Sequence, residues 1–106
     1  MRQEIKAINE VDGDGNPAGG TVHGVGLAIK WQKGPLGRGA ERLEPNGAFV
    51  EGVIMAALQR LQHYQGSKFA CAENDKAIAG LSAALEALDS RTAKREARGV
   101  EGTHAE

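Results

Sequence analysis

The stretch that decides the fold is "CAENDKAIAGLSAALEALDSRTAKREARG", residues 71 to 99. Its large apolar side chains recur at intervals of three and four residues: Ile78, Leu81, Leu85 and Leu88. This spacing is typical of one face of an α-helix. At about 100° per residue, Asn74 begins the same stripe and Arg95 continues it. The stretch therefore predicts one long helix, over about 71–98, whose buried face becomes cationic near its end at Gly99.

The preceding segment predicts a second helix, over about 47–65. Its apolar and aromatic residues recur at helical spacing: Val50, Ile54, Ala57, Leu61 and Tyr64. Asn46 is the expected N-cap, and Gly66 is expected to end the helix. The short "GSKF" connection predicts that the two helices form an antiparallel hairpin.

The first third of the chain is β-like. Residues 21–34 alternate between a bulky face and a small-residue face, which predicts a strand. Residues 2–11 fit either a strand or a helical turn, and as a strand they would pair with residues 21–34 in an antiparallel hairpin. The glycine-rich stretches 12–20 and 34–47 are expected to be a turn or mobile loop and a loop, respectively.

The predicted fold is therefore α+β: a small N-terminal antiparallel β-sheet followed by a long antiparallel helical hairpin. With 106 residues, the chain is expected to form one domain. Its expected parts are a β-hairpin (1–33), a loop (34–46), the helical hairpin (47–98) and a tail (99–106). Fifteen glycines and few aromatic residues leave a thin core, which favours burial of further surface in an oligomer.

Composition excludes several classes of protein. The net charge of −1 gives no general case for DNA or RNA binding. The chain has no apolar run of the roughly 20 residues that span a bilayer, and its N-terminus lacks a signal-peptide pattern. Its single cysteine, Cys71, cannot form an internal disulfide and fits a reducing cytosol. A cytoplasmic protein without a membrane partner is expected.

No catalytic or metal site is predicted, and no cofactor. "DGDGN" has the alternate spacing of a calcium loop, but Pro17 stands where the turn glycine belongs and His23 where the bidentate Glu belongs. The glycines match neither a dinucleotide fingerprint nor a P-loop. The three histidines are far apart in sequence, and no nucleophile–base pair stands out. Cys71 is read as a small core thiol.

The arginines near the end of the second helix are the main site candidates. They have two interpretations: a solvated tail whose cations suit the helix C-terminus, or an anion site, because Arg95 points as the leucines do. Asn74 and Arg91 are 17 residues apart in sequence, about 26 Å along one helix. A nucleotide-sized ligand that uses both would bind between two subunits, with Tyr64 near the bend as an aromatic face for a base.

An ordered set of motifs over residues 21–104 resembles the first family of phage Thoeris anti-defence proteins. The motifs are "GPLGRG", "PNGAFVE", "F-x-C-x-E-N", "RT-x-x-R-E-x-R" and "GVEGTH". The helical hairpin is also similar to that of phage anti-CBASS nucleotide sponges. The resemblance implies a non-enzymatic sponge that captures glycocyclic ADP-ribose, the signal made by bacterial defence TIR proteins, without cleaving it. It also implies dimers, and in some members hexamers that take cyclic di- or trinucleotides at separate sites.

Carried onto this sequence, the resemblance implies a role for four residues. Tyr64 would stack on the adenine, Asn74 would make a polar contact, and Arg91 and Arg95 would hold the pyrophosphate. Tyr64 stands where the family would have phenylalanine, which keeps the stacking and adds a hydroxyl. Phe69 is an alternative stacking platform, and Arg98 is a weaker candidate for ligand binding.

Two other functions fit parts of the sequence. The cationic end of the hairpin could mask an acidic surface of a host defence protein, which would make the chain a protein–protein inhibitor. A hydrolase that degrades the signal is disfavoured, because no general base or metal set is found. The sequence leaves open the choice between a homodimer and a homohexamer.

Overall fold

A computed structural model describes residues 1–106 and confirms the α+β class. A three-stranded antiparallel sheet is followed by two helices. Contacts group the chain into two compact units, Met1–Phe49 with Val100–Glu106, and Val50–Gly99. The single domain expected from chain length stays a prediction. The elements are β1 (Lys6–Val11), β2 (Pro17–Gly24), β3 (Leu27–Lys30), a 3₁₀ turn (Gly39–Glu41), α1 (Val50–Gln65) and α2 (Ala72–Ala97).

The sheet has the order β1-β2-β3, and residues 2–11 do contain a strand. Ile8 pairs with Thr21 across β1 and β2, so the predicted antiparallel pairing is confirmed. The single strand predicted over 21–34 is wrong, because a two-residue turn at Val25 and Gly26 divides it into β2 and β3. Gly26 has a φ of 72°, a conformation that glycine adopts without the steric cost a Cβ imposes.

The loop predicted over 12–20 is also too long, since β2 already begins at Pro17. Gly20 explains the error. It is buried in the strand with a φ of 133°, and a Cβ there would collide with the Ile8 carbonyl oxygen. A glycine in the sequence can indicate such a close approach between strands as readily as it indicates a turn.

Asp12 organises the β1–β2 loop through hydrogen bonds to its carboxylate. Its Oδ1 accepts hydrogen bonds from the backbone N–H groups of Asp14 at 2.9 Å and Asn16 at 3.0 Å. The hydrogen bond from Asn16 is the main reason that the pKa of Asp12 lies below its ordinary value, opposed by partial desolvation. The backbone bond from Asp14 and a positive charge on His104, whose Nε2 lies 4.0 Å from Oδ2, lower this pKa further. The loop is thus a carboxylate-capped turn.

Acid is expected to loosen this turn. The pKa of Asp12 is lower in the folded than in the unfolded protein. The Asp12 carboxylate therefore contributes to stability above its unfolded pKa of about 4, and this contribution is lost as the pH falls through its folded-state pKa. The amide signals of Asp14 and Asn16, followed by NMR, should move as the pH is lowered below about 4. Asp12→Asn should remove that titration, whereas Asp14→Asn should leave it in place for Asn16. An unchanged titration in Asp12→Asn would contradict this assignment.

Asn46 is not the N-cap that the sequence predicted, because α1 begins only at Val50. Its side chain instead joins two segments of the long loop. Oδ1 accepts from the Lys33 N–H at 2.8 Å, and Nδ2 donates to the Lys33 carbonyl at 3.0 Å. The Asn46 N–H donates to Gln32 Oε1 at 2.8 Å. At the neighbouring Gly47, a Cβ would lie 2.5 Å from the Trp31 carbonyl carbon, so the close approach needs glycine.

The tail after Gly99 is docked on the glycine-rich loop. Arg42 and the Glu101 carboxylate form a two-point ion pair, with distances of 2.6 Å from Nη1 to Oε2 and 3.0 Å from Nη2 to Oε1. Arg38 Nη1 donates to the Glu101 carbonyl at 2.9 Å. The Gly37 N–H donates to the Gly102 carbonyl at 2.7 Å. The "GVEGTH" motif therefore fixes the "GPLGRG" loop.

Glu101→Gln is expected to loosen this loop. The substitution keeps one oxygen acceptor but removes the charge that matches both arms of the Arg42 guanidinium. Because the pair is partly exposed, the cost in unfolding free energy should be about 1 kcal/mol or less. Hydrogen exchange should therefore be faster at the amides of Gly37 and Leu43, with Glu106→Gln as the matched control. Equal exchange rates in the two variants would contradict the role of Glu101.

The two helices form the predicted antiparallel hairpin. α1 ends one residue before Gly66, and α2 ends two residues before Gly99, which has a φ of 73°. Both stops are confirmed. The leucine stripe of α2 lies at the seam, the line along which the two helices face each other, yet Leu58 is the only buried residue of the hairpin. Neither helix is long and apolar enough to cross a membrane.

Candidate ligand site on the helical hairpin

The bend between the helices is held by one glutamine side chain. Gln65 Oε1 accepts from the Cys71 N–H and from Asn74 Nδ2, each at 3.0 Å. Cys71 is exposed, so the core thiol expected from the sequence is wrong. Gln65 Nε2 donates to the Cys71 carbonyl at 3.0 Å and to Asp75 Oδ1 at 2.7 Å. Asn74 Nδ2 also lies 3.3 Å from the Phe69 carbonyl. These bonds use the side-chain NH2 group of Asn74, so the side-chain oxygen, Oδ1, is the atom left to meet a ligand.

The aromatic residues named from sequence lie at this bend. Tyr64 is in the last turn of α1 and is 37% exposed, and Phe69 is in the connection and 66% exposed. The Arg60 guanidinium carbon lies 5.0 Å from the centre of the Tyr64 ring, while Lys68 Nζ lies 5.2 Å from that of Phe69. Both rings can offer a surface to a base, and the tyrosine has the less mobile setting because it belongs to a helix.

The arginines occupy the other end of the hairpin. Arg91 is exposed, Arg95 is half-buried, and Arg98 is exposed at the C-cap of α2. The expectation that Arg95 would be partly shielded from solvent agrees with its burial. Lys94 adds a fourth positive charge to these last turns, with Glu96 as the one acidic residue among them. The end is therefore suited to an anion.

One chain does not bring these two groups together. Asn74 and Arg91 belong to a single uninterrupted helix, Ala72–Ala97. Seventeen residues of helix span about 26 Å. Tyr64, Phe69 and Asn74 are therefore neighbours at the bend, whereas Arg91, Arg95 and Arg98 lie at the distant end.

Both groups nevertheless lie on one side of the hairpin. Each residue of a helix is rotated by about 100° from the one before it. On α1, the side chains rotated by roughly 70–110° in one sense from the line that faces α2 are Val53, Ala57 and Tyr64. On α2, the side chains rotated by roughly 60–110° in the same sense from the line that faces α1 are Ala77, Ala84 and Arg91. Antiparallel helices of the same handedness place such residues on the same side. We call these six residues the open face.

The open face has the composition of a contact surface. It is apolar or small along most of its length, with an aromatic residue at one end and a cation at the other. Val53 and Ala84 are half-buried and the other four residues are exposed. A second hairpin packed antiparallel on this face would complete a four-helix arrangement. It would also bring Tyr64 of each chain towards Arg91 of the other.

The sequence is similar to that of a known phage protein. The chain is 52% identical over 59 residues to "Thoeris anti-defense 1" of Bacillus phage SBSphiJ7. The predicted resemblance to Thoeris anti-defence proteins is confirmed. The match covers 56% of this chain and 42% of the phage protein, so the chain spans about two fifths of the length of the curated relative it matches. No family-level sequence profile matches the chain.

Two residues of the helical hairpin were missed by sequence reasoning. Gln65 looked like a polar helix end, and nothing local indicated that its amide would close the bend. Arg60 was overlooked because it lies outside the "RT-x-x-R-E-x-R" motif. Its position four residues before Tyr64 was the available signal, since side chains at that spacing meet on a helix.

Proposed function

We propose that the protein is a phage anti-defence sponge that binds glycocyclic ADP-ribose and withholds it from its effector in the host cytoplasm. The observation that carries the proposal is the open face, with Tyr64 at one end and Arg91 at the other. The name of the similar phage protein, Thoeris anti-defense 1, supports the same class of function. Binding requires no chemical step, and no residue is assigned a catalytic role.

The proposed site lies between two subunits. Tyr64 of one chain stacks on the adenine. The side-chain oxygen of Asn74 in that chain, Oδ1, accepts a hydrogen bond from the ligand. Arg91 and Arg95 of the second chain hold the pyrophosphate, because a guanidinium can donate two parallel hydrogen bonds to phosphate oxygens. Phe69 is the alternative platform for the base, and Arg98 a weaker contact.

Each homodimer would have two such sites, related by its twofold axis. Hexamer formation and binding of cyclic di- or trinucleotides are extensions that the family resemblance suggests, and no residues are assigned to them. The proposal includes no DNA, RNA or membrane partner.

Calorimetric titration with glycocyclic ADP-ribose tests the proposal. We expect tight binding with one ligand per chain, and chemically unchanged ligand on chromatography after the protein is denatured by heat. Absence of binding would exclude this signal as the ligand. Recovery of a cleaved product would replace the sponge with an enzyme.

A protein–protein inhibitor is the second candidate, favoured by the exposed cations Arg91, Lys94 and Arg98. It predicts a stable complex with an acidic defence protein in lysate depleted of nucleotides. Capture of a defence protein under those conditions, and its loss when the three cations are neutralised, would support the inhibitor over the sponge.

A further inference from the structure

Arg60 and Tyr64 form a paired unit on the surface of α1. Arg60 Nε donates a hydrogen bond of 3.1 Å to the Tyr64 hydroxyl oxygen. The guanidinium carbon lies over the ring, 5.0 Å from its centre. A cation in this position is attracted by the negative face of the ring. The two contacts restrict both side chains more than either contact would alone.

The rest of the Arg60 guanidinium is available. Its Nη1 and Nη2 atoms take part in no hydrogen bond or ion pair, and the residue is exposed. The nearest acidic residues in sequence, Glu51 and Glu73, form no ion pair with it. Four N–H donors are therefore held beside an aromatic ring and are not paired with an acidic side chain of this chain.

We propose that Arg60 is a ligand-binding residue that donates to a phosphate oxygen of the nucleotide whose base stacks on Tyr64. This inference rests on the proposed function and adds a cation from the same chain as the stacking ring. The base takes the face of Tyr64 opposite Arg60. Because Arg60 is already oriented by the hydroxyl, less conformational entropy is lost when the phosphate binds.

The hydroxyl of Tyr64 then has a defined purpose. A phenylalanine at this position would keep the stacking surface but would leave Arg60 without its hydrogen-bond acceptor. Arg60 and Tyr64 should therefore act as a coupled pair, whereas independent residues would give additive losses. The pair also favours ligands with a phosphate near the base over uncharged nucleosides.

A double-mutant cycle tests the proposal by calorimetric titration with glycocyclic ADP-ribose. Arg60→Met should weaken binding about tenfold or more, as expected for loss of a charge-assisted hydrogen bond. Tyr64→Phe should weaken it about threefold, the cost of a lost neutral hydrogen bond. The double variant should bind as Arg60→Met does, within about a factor of two. Lys76→Met, which removes an exposed cation from the opposite side of α2, should bind as the unchanged protein does.

The outcomes separate this inference from the proposed function. No binding by the unchanged protein overturns both. If the unchanged protein binds and Arg60→Met binds equally or more tightly, only the role of Arg60 is overturned. Tighter binding would mean that Arg60 must move away from the Tyr64 ring before the ligand can bind. Additive losses in the double variant would overturn the coupling through the hydroxyl.

Discussion

Arg95→Ala is expected to abolish binding of glycocyclic ADP-ribose while the oligomer stays intact. Arg95 is half-buried and continues the seam stripe of α2, so its guanidinium reaches an environment with less water than a surface side chain has. Charge-assisted hydrogen bonds are stronger there, and loss of two of them should raise the Kd about 100-fold or more. Calorimetric titration measures the loss, and light scattering measures the assembly.

Two companion variants make the Arg95 result specific. Lys94→Ala removes a positive charge from the same helical turn but from the side turned away from the hairpin seam, so its affinity should be nearly unchanged. Arg95→Lys keeps the charge and loses the two-armed geometry, and an intermediate affinity is expected. Equal losses in Lys94→Ala and Arg95→Ala would show a general effect of charge and would contradict a built site.

Ala57→Asp is expected to separate the subunits and to eliminate ligand binding with them. Ala57 lies in the middle of the open face, where a second hairpin would cover it. A carboxylate there would lose water without gaining a partner, a cost of several kcal/mol, so the dissociation constant of the oligomer should rise about 100-fold or more. Sedimentation at several protein concentrations measures the change.

The adjacent residue supplies a matched control for the assembly. Ala56 is also exposed in α1, but it points away from the seam and from the open face. Ala56→Asp therefore has the same helix-propensity cost and the same added charge, and the assembly should persist. Dissociation in both variants would indicate a helix defect. Dissociation in neither would contradict the open face as the interface.

The helical part of the fold was largely predictable from sequence. The three- and four-residue spacing from Ile78 to Leu88 and the stops at Gly66 and Gly99 are local signals, and the structure follows them. The start of α1 was not predictable in the same way. Asn46 has the chemistry of an N-cap, but a contact with Lys33, thirteen residues away in sequence, takes its side chain.

The sheet was less predictable because its glycines have two meanings. The sequence predicts Gly19 and Gly20 in a turn, yet they lie in β2, where the neighbouring strand approaches too closely for a side chain at Gly20. The sequence predicts Gly26 in a strand, yet it forms the turn between β2 and β3. Which meaning applies depends on the pairing partner, which the local sequence does not contain.

The candidate site shows the same division. The separation of Asn74 from Arg91 follows from helix geometry alone, and the uninterrupted α2 agrees with it. The Arg60–Tyr64 pair and the Gln65 network depend on side-chain conformations at the bend. The tail is a further example, since its attachment to Arg38 and Arg42 joins residues about 60 positions apart in the chain.

The central claim, a signal site shared by two subunits, is tested most directly by mixing two inactive variants. Tyr64→Ala and Arg95→Ala should each fail to bind glycocyclic ADP-ribose. A mixed dimer of the two has one site with both changes and one site with neither. Co-expressed and purified with two different tags, it should bind one ligand per dimer with the affinity of the unchanged protein. No binding by the mixed dimer would place Tyr64 and Arg95 of the same chain in one site and contradict the account.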